Sequence, residues 1–343
     1  MAEQKPTINW LNNCRIAAAF AVVVLHVSAI VVLNRDFGTS AWWAGNIFEV
    51  LVRWSVPVFV MISGALLLAP GKAESIAVFY KHRIARILIP LLFWSLFYLA
   101  WAQYMGTMNR EPLSKIQLAR LLVGGHPASL MWYIFMIAVL YLFIPFLRKI
   151  IRDSSRAELR VLLVIGFAFS ILNSVSGESG IGSSKLFVNW FIVYIPYLLL
   201  GYLISTSKRQ YSIVKLCVTL VGIAAFSAVG CAVVGKKFGP TAGMYFYNYL
   251  SLTVIMTSAI LFILARRWES PIGGLKTQQA LASATLGIYL MHMVFIDLFR
   301  ILKMGPLAFN PAISIPCEAV VVFGAAAAIT LMIGKIPYIR RIV

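Results

Sequence analysis

A histidine and an arginine stand eleven positions apart in the first long apolar stretch of the chain. The ten residues between Arg15 and His26 are all apolar. Eleven steps of about 100° come within roughly 20° of three helical turns, so both side chains leave one helix face, about 16 Å apart along it. A histidine at this depth either hydrogen-bonds to a neighbouring helix or takes part in catalysis, and the spacing alone leaves both open.

Further ionisable side chains lie within apolar stretches, where a charge is costly and each is a candidate for function. Glu49 and Arg53 stand four positions apart, so they can neutralise each other on one helix face. Asp297 and Arg300 are three apart, and we interpret them as a structural ion pair. Glu318 has no partner close in sequence, so we expect it to face protein or water.

A polar stripe recurs late in the chain. Thr285, Tyr289 and His292 follow i, i+4, i+7 spacing, which places them on one helix face directed into the bundle. Together with the ionisable groups, they exceed what packing in a bilayer requires. We therefore expect a water-accessible cavity in the outer half of the molecule.

Two arginines precede the third apolar stretch. Arg83 and Arg86 are three positions apart, so they share a helix face and could both bind one polyanion through their planar guanidinium groups. Ordinary basic flanking of a membrane span is the other interpretation.

The elements that must position these residues are membrane helices. Hydrophobic residues make up 61% of the 343 residues and charged residues 12%, and apolar runs of about 20 residues can each cross roughly 30 Å of hydrocarbon. We predict an all-α, polytopic membrane helix bundle forming a single domain over 1–343. Its ten predicted spans are 12–33, 47–68, 87–104, 130–147, 159–175, 186–204, 213–234, 247–265, 280–301 and 312–334.

The net charge of +19 follows the predicted topology. Of the Lys and Arg residues, 20 fall on one side of the ten-span map and 9 on the other, with Arg53 inside a span. The positive-inside rule then predicts a multi-pass protein of the inner-membrane type with both termini in the cytoplasm. The excess of Lys and Arg therefore reflects the membrane topology, and nucleic acid is not an expected partner.

Five motifs in this order resemble the membrane acyltransferase 3 family of multi-pass O-acyltransferases. They are Arg15-x10-His26, the stretch Val56–Gly64, Arg83-x-x-Arg86, Met131-Trp132-Tyr133 followed by Tyr141 and Pro145, and the block Thr285–His292. One departure is that His126 lies six residues before Trp132, whereas the family often has a histidine close before that tryptophan, so His126 is not included among the candidates.

The resemblance implies transfer of an acyl group, commonly acetyl from acetyl-CoA, to a hydroxyl of a glycan or lipid-linked sugar. It assigns catalysis to His26 and acyl-donor binding to Arg15, Arg83 and Arg86. Acetyl-CoA is then a donor substrate, with no permanently bound cofactor and no metal. The chain's size is similar to that of stand-alone members that modify O-antigen, a lipopolysaccharide component, or enterobacterial common antigen.

The residue geometry agrees with that reaction. CoA is a cytoplasmic polyanion, and His26 lies further out than Arg15, where the acyl end of an inserted donor could meet an acceptor arriving from outside. A neutral histidine can take the proton of an attacking hydroxyl, a role worth roughly 10²–10⁴ in rate, or carry the acetyl group covalently. Glu49 and Glu318 are candidates to orient it. The further orienting or acceptor-side candidates are Arg53, Tyr289 and His292.

A transporter or flippase of a lipid-linked glycan is the alternative, since it also needs a polar cavity inside a bundle. Transporters of this kind often show broken helices in symmetry-related halves, and the sequence has no evident internal symmetry. A scaffold protein would not need Arg15 and His26 on one helix face. An assay for release of CoA from acetyl-CoA distinguishes an enzyme from a transporter and from a scaffold protein.

Overall fold

The computed structural model describes residues 9–69, 75–108, 112–123, 127–178 and 193–343. Across these ranges the chain forms helices and no strand, which confirms the all-α class. The α-helices are α1 (Asn9–Asn34), α2 (Ser40–Val52), α3 (Ser55–Leu67), α4 (Ile76–Met108), α5 (Lys115–Val123), α6 (Trp132–Asp153), α7 (Arg156–Glu178), α8 (Ile195–Ser205), α9 (Ile213–Phe238), α10 (Pro240–Gly243), α11 (Leu252–Ala265), α12 (Leu275–Ile301) and α13 (Pro311–Ile333). Short 3-10 helices cover Met244–Tyr247 and Ile339–Ile342.

Eight helical segments of the described chain are long and apolar enough to cross a membrane. They are Asn9–Asn34, Ser40–Leu67, Ile76–Met108, Trp132–Asp153, Ile213–Phe238, Pro240–Ala265, Leu275–Ile301 and Pro311–Ile333. The fifth predicted span, 159–175, falls within α7. The sixth, 186–204, starts outside the described residues, and its described part is the 11-residue helix α8. The polytopic helix bundle is thus confirmed.

The second predicted span, 47–68, is longer than predicted. It runs over Ser40–Leu67 as α2 and α3, which meet at a break after Val52. Pro57 has no N–H to offer the carbonyl group of Arg53, and this missing bond accounts for the break. The extra first turns contain Trp, Gly and Asn, whose lower hydropathy hid them from a search for apolar runs. Arg53 therefore lies near the middle of the span.

Helix α1 is the centre of the bundle, and it packs against α2, α3, α12 and α13. Its contact with α12 is parallel: near their starts, Gln278 Nε2 donates to Asn13 Oδ1 at 2.6 Å, and further along, the rings of His26 and His292 are 5.0 Å apart. Two spans that run in the same direction must have an odd number of other spans between them in the chain. The ten-span map has seven spans between α1 and α12, so it agrees with their parallel contact.

Helices α3 and α8 cross with their backbones in contact. A Cβ added to Gly64 would lie 2.0 Å from the carbonyl oxygen of Leu198, and one added to Gly201 would lie 2.0 Å from the carbonyl oxygen of Met61. Membrane helices use small residues in this way to approach closely. The crossing fixes the α3 face that carries Phe59 and Ser63.

Replacing Gly64 with Ala should destabilise the protein, because the added methyl group meets backbone that cannot turn away. Overpacking of this kind costs about 1–3 kcal/mol. We expect a lower thermal unfolding midpoint for the detergent-purified variant, measured by fluorescence-detected size-exclusion chromatography after heating.

The matched control is Gly222→Ala on α9, where an added Cβ has no neighbour within 4 Å. This variant should unfold at the wild-type temperature. Equal midpoints for Gly64→Ala and the wild type would show that the α3–α8 crossing is looser than described.

Candidate active site

A cavity of about 550 Å³ opens at the end of the bundle where α1 begins. It lies between α1, α3, α4, α6 and α12, and its lining includes Arg15, Arg83 and Arg86. The three arginines come from two separate motifs, and the fold brings them to one space. This cavity lies at the end where α1 begins, and its lining joins the helix-end arginines to Thr285 and Tyr289 of the polar stripe. The cavity expected in the outer half stays a prediction.

The arginines differ in how much of their bonding capacity the protein uses. Arg15 is half-buried and close enough to Tyr133 and Tyr141 to interact electrostatically with both. Arg83 has a buried Nε that finds no acceptor among the described residues, and Arg86 is exposed. A buried guanidinium N–H without a protein partner is costly unless a ligand supplies the acceptor.

The remaining cavity wall is mainly apolar and aromatic. It includes Phe59, Ile62, Leu66, Ile87, Pro90, Ile134 and Ile137, with polar atoms from Ser63, Tyr141, Thr285 and Tyr289. The Ser63 and Tyr141 hydroxyls are 3.4 Å apart. A cavity with a basic mouth and an apolar interior suits a ligand that has an anionic head and a slender, less polar arm.

A row of contacting rings leads from this cavity to His26. Tyr133 and Tyr289 line the cavity with their ring centroids 5.2 Å apart. Tyr289 is 5.8 Å from His292, and His292 is 5.0 Å from His26. The Tyr289 hydroxyl donates to the carbonyl group of Leu130. The predicted stripe of Thr285, Tyr289 and His292 thus does face the bundle, and His26 lies beyond the cavity wall, at the end of the row.

His292 has a defined proton arrangement. Its side chain is fully buried, and Nδ1 lies 2.6 Å from the carbonyl oxygen of Tyr289. A carbonyl oxygen only accepts, so Nδ1 carries a proton, and in the neutral ring Nε2 is then a bare acceptor. Within the described part of the chain, Nε2 has no hydrogen-bond partner. His26 is half-buried beside it.

Glu49 and Arg53 form the ion pair that their spacing predicted. Arg53 Nε is 2.7 Å from Glu49 Oε2, and the Arg53 guanidinium lies over the rings of Tyr247 and Tyr249 at 5.0 and 5.6 Å from their centroids. Arg53 is within electrostatic range of His26. Glu49 therefore acts on Arg53, and its carboxylate makes no described contact with His26.

A smaller cavity of about 140 Å³ lies beside Arg53, between α2, α9 and α11. The neighbouring Asn46 is fully buried, donating to the Ala228 carbonyl group at 3.0 Å and accepting from the Tyr247 hydroxyl at 2.7 Å. Sequence analysis missed Asn46, Tyr247 and Tyr249. The aromatic run at 245–249 just before α11 was the available signal.

The last two acidic candidates behave differently. Asp297 pairs with Arg300 at 3.1 Å and accepts from Trp101 Nε1 at 2.8 Å, so this pair is structural, as predicted. Glu318 is 4% exposed, and neither carboxylate oxygen has a partner among the described residues. Its neighbours Ile315 and Ala319 pack in one apolar cluster with residues of α1 and α12, so Glu318 faces protein.

Comparison with known proteins identifies the family of this chain. A family model described as an acyltransferase domain matches residues 8–335. No curated protein and no solved structure gave a significant match. Over the described ranges, no group of three His, Cys, Asp or Glu side chains converges to hold a metal ion. A match over nearly the whole chain, on a bundle of membrane-length helices, shows that this protein belongs to the acyltransferase 3 family of membrane acyltransferases.

Proposed function

We propose that this enzyme moves an acetyl group from cytoplasmic acetyl-CoA to a hydroxyl of a surface polysaccharide or lipid-linked glycan at the outer face of a bacterial inner membrane. The orientation is the one given by the positive-inside rule, with both termini in the cytoplasm. The observation that carries the proposal is the meeting of Arg15, Arg83 and Arg86 at one cavity whose inner wall is linked by contacting rings to His26.

The cavity supports CoA as the donor. Its basic mouth suits the phosphates of the nucleotide end, with Arg83 and Arg86 as the charge-assisted donors. Its apolar interior suits the pantetheine arm, which would run past Phe59 towards Tyr289. The thioester would then approach His26, about 16 Å along α1 from Arg15.

Two routes of transfer use His26. In the first, the acceptor hydroxyl oxygen attacks the thioester carbonyl carbon while a ring nitrogen of His26 takes the hydroxyl proton; the C–S bond breaks, and the proton passes to the departing CoA thiolate. In the second, the bare His26 nitrogen attacks the thioester carbonyl carbon, the C–S bond breaks, and the proton of the other ring nitrogen passes to the CoA thiolate; the acceptor hydroxyl then attacks the acetyl carbon, the C–N bond breaks, and the hydroxyl proton returns to the imidazole. We infer that His292 Nε2 accepts an N–H of His26 during the reaction and so sets its tautomer and ring orientation, since the two rings are 5.0 Å apart and Nε2 has no other described partner.

His26→Gln should lower acetyl transfer by roughly 10²-fold or more, because an amide keeps hydrogen-bonding ability but cannot exchange a proton at neutral pH. The measurement is incorporation of radiolabelled acetyl from acetyl-CoA into membrane glycan. The control is Ser28→Ala on the same helix, where the lost hydroxyl bonds only locally, to the Leu25 carbonyl group. Near wild-type transfer by the Gln variant would exclude His26 from the chemistry. In the absence of acceptor, label retained on the wild type but not on His26→Ala identifies the covalent route.

Arg83→Ala and Arg86→Ala should each raise KM for acetyl-CoA, because each removes a charge-assisted hydrogen bond worth about 1.5–3 kcal/mol. Lys at either position should restore part of the loss, since it keeps the charge without the planar fork. The exposed Lys276 at the start of α12 provides the control Lys276→Ala. An unchanged KM in both Arg variants would show that these arginines are ordinary basic residues flanking a membrane span.

His292→Gln should lower kcat by about tenfold, because the reacting imidazole loses one hydrogen bond. KM for acetyl-CoA should stay unchanged. Because His292 acts through His26, the pH profile of kcat should also shift. A fall in activity that follows only a loss of folded protein, with the pH profile of the remaining enzyme unaltered, would show that His292 is structural.

A further inference from the structure

A second basic site lies at the same end of the bundle as the acyl-donor cavity but apart from it. Two adjoining cavities of about 460 and 360 Å³ lie where α7 begins and α8 and α11 end, and they share no lining residue with the 550 Å³ cavity. Asn13 Nδ2 donates to the carbonyl groups of Trp268 and Ser270, which places the end of α11 beside the start of α1. We call this site the arginine groove, after Arg156, Arg160, Arg209, Arg266 and Arg267.

The arginine groove has few carboxylates beside it in the described part of the chain. Glu269 is the one carboxylate in its described lining, and none of the five arginines forms an ion pair with a described residue. The nearby Asp153 is occupied by Arg152 at 3.0 Å. The groove therefore presents an excess of positive charge to any ligand.

Hydrogen bonds to backbone hold several of these guanidinium groups in place. Arg156 donates to Thr206 O at 3.1 Å, Arg266 to Ser207 O at 2.5 Å and Arg267 to Tyr211 O at 2.6 Å. A guanidinium has five N–H groups, so each arginine keeps donors for an anion. The arginines are thus oriented before a ligand arrives.

One wall of the groove is apolar and continues onto the lipid-facing side of the bundle. Leu163, Leu200, Leu203, Ile204 and Ile263 line the groove below the arginines. The adjacent α7 side chains Val161 and Val164 are 59% and 66% exposed, as expected for a surface in contact with hydrocarbon. A soluble polyanion would leave this wall bare, whereas a lipid would cover it.

We propose that the arginine groove binds an anionic glycerophospholipid of the leaflet at this end of the bundle, with its phosphate on the arginines and its acyl chains along the apolar wall. Basic pockets between membrane helices recognise anionic lipid headgroups by this chemistry. The bound lipid links the ends of α7, α8 and α11 and stabilises the folded protein by mass action. The proposal does not depend on the acetyl-transfer reaction.

The test measures thermal unfolding of the delipidated full-length protein in micelles containing phosphatidylglycerol, phosphatidylcholine, or phosphatidylcholine with inorganic pyrophosphate. Phosphatidylglycerol should raise the unfolding midpoint by several degrees over phosphatidylcholine. In Arg160→Gln/Arg209→Gln this shift should fall by at least half. Among the described contacts, these two side chains bond or stack only with their own segments, at the Arg156 carbonyl and the Tyr211 ring, so the variant should fold.

The matched control is Lys236→Gln/Lys237→Gln, which removes the same charge from the far end of α9 and should keep the full shift. An equal shift in the groove variant and the wild type would overturn the proposal. A shift given equally by pyrophosphate would overturn it in favour of a soluble polyanion. If the double variant fails to fold, Arg160→Gln alone, analysed by native mass spectrometry, should retain fewer phosphatidylglycerol adducts than the wild type, and equal retention would reject the site.

Discussion

The parallel contact between α1 and α12 is the constraint on which the site depends. At one end, the buried Asn13 amide has all four of its hydrogen-bonding positions filled: it donates to Trp268 and Ser270 and accepts from Ile272 and Gln278. Slipping the register by one residue would rotate α1 by about 100° and leave these polar groups unpaired where water is scarce. The same register brings Arg15 to the cavity and His26 to His292, so a structural amide fixes the geometry of the candidate site.

Polar groups inside the bundle differ in whether the described protein pairs them. Glu49–Arg53 and Asp297–Arg300 are each paired within one span, and Arg53 over Tyr247 and Trp101 on Asp297 add contacts to other segments. The Arg83 Nε and the His292 Nε2 are buried without a described partner. An unpaired buried donor or acceptor costs about 1–3 kcal/mol. In the proposed reaction a CoA phosphate completes Arg83, and His26 completes His292.

The sequence could predict what depends on local spacing. The helical class, the two ion pairs, the shared face of Arg15 and His26, and the inward stripe from Thr285 to His292 all follow from helix periodicity, and the structure has them. Tyr133 differs, since the sequence showed it only as part of the Met131-Trp132-Tyr133 motif, and helix periodicity did not predict that it lines the cavity. The rings of Tyr247 and Tyr249 over Arg53 join positions almost 200 residues apart, and spacing carries no information about such contacts. The convergence of Arg15 with Arg83 and Arg86 was expected from family resemblance alone.

A histidine suits the end of the ring row away from the cavity because its surroundings are apolar. A carboxylate that stays ionised at that depth needs a counter-ion, as Glu49 has Arg53, and a paired carboxylate is a weak base towards anything else. An imidazole is neutral at physiological pH, so it can be held in an apolar interior without an ion partner and still accept a proton. Two neighbouring neutral imidazoles add the further property that one can orient the other without adding charge. The bundle can therefore place a base among apolar helices, away from the charged mouth where the arginines lie.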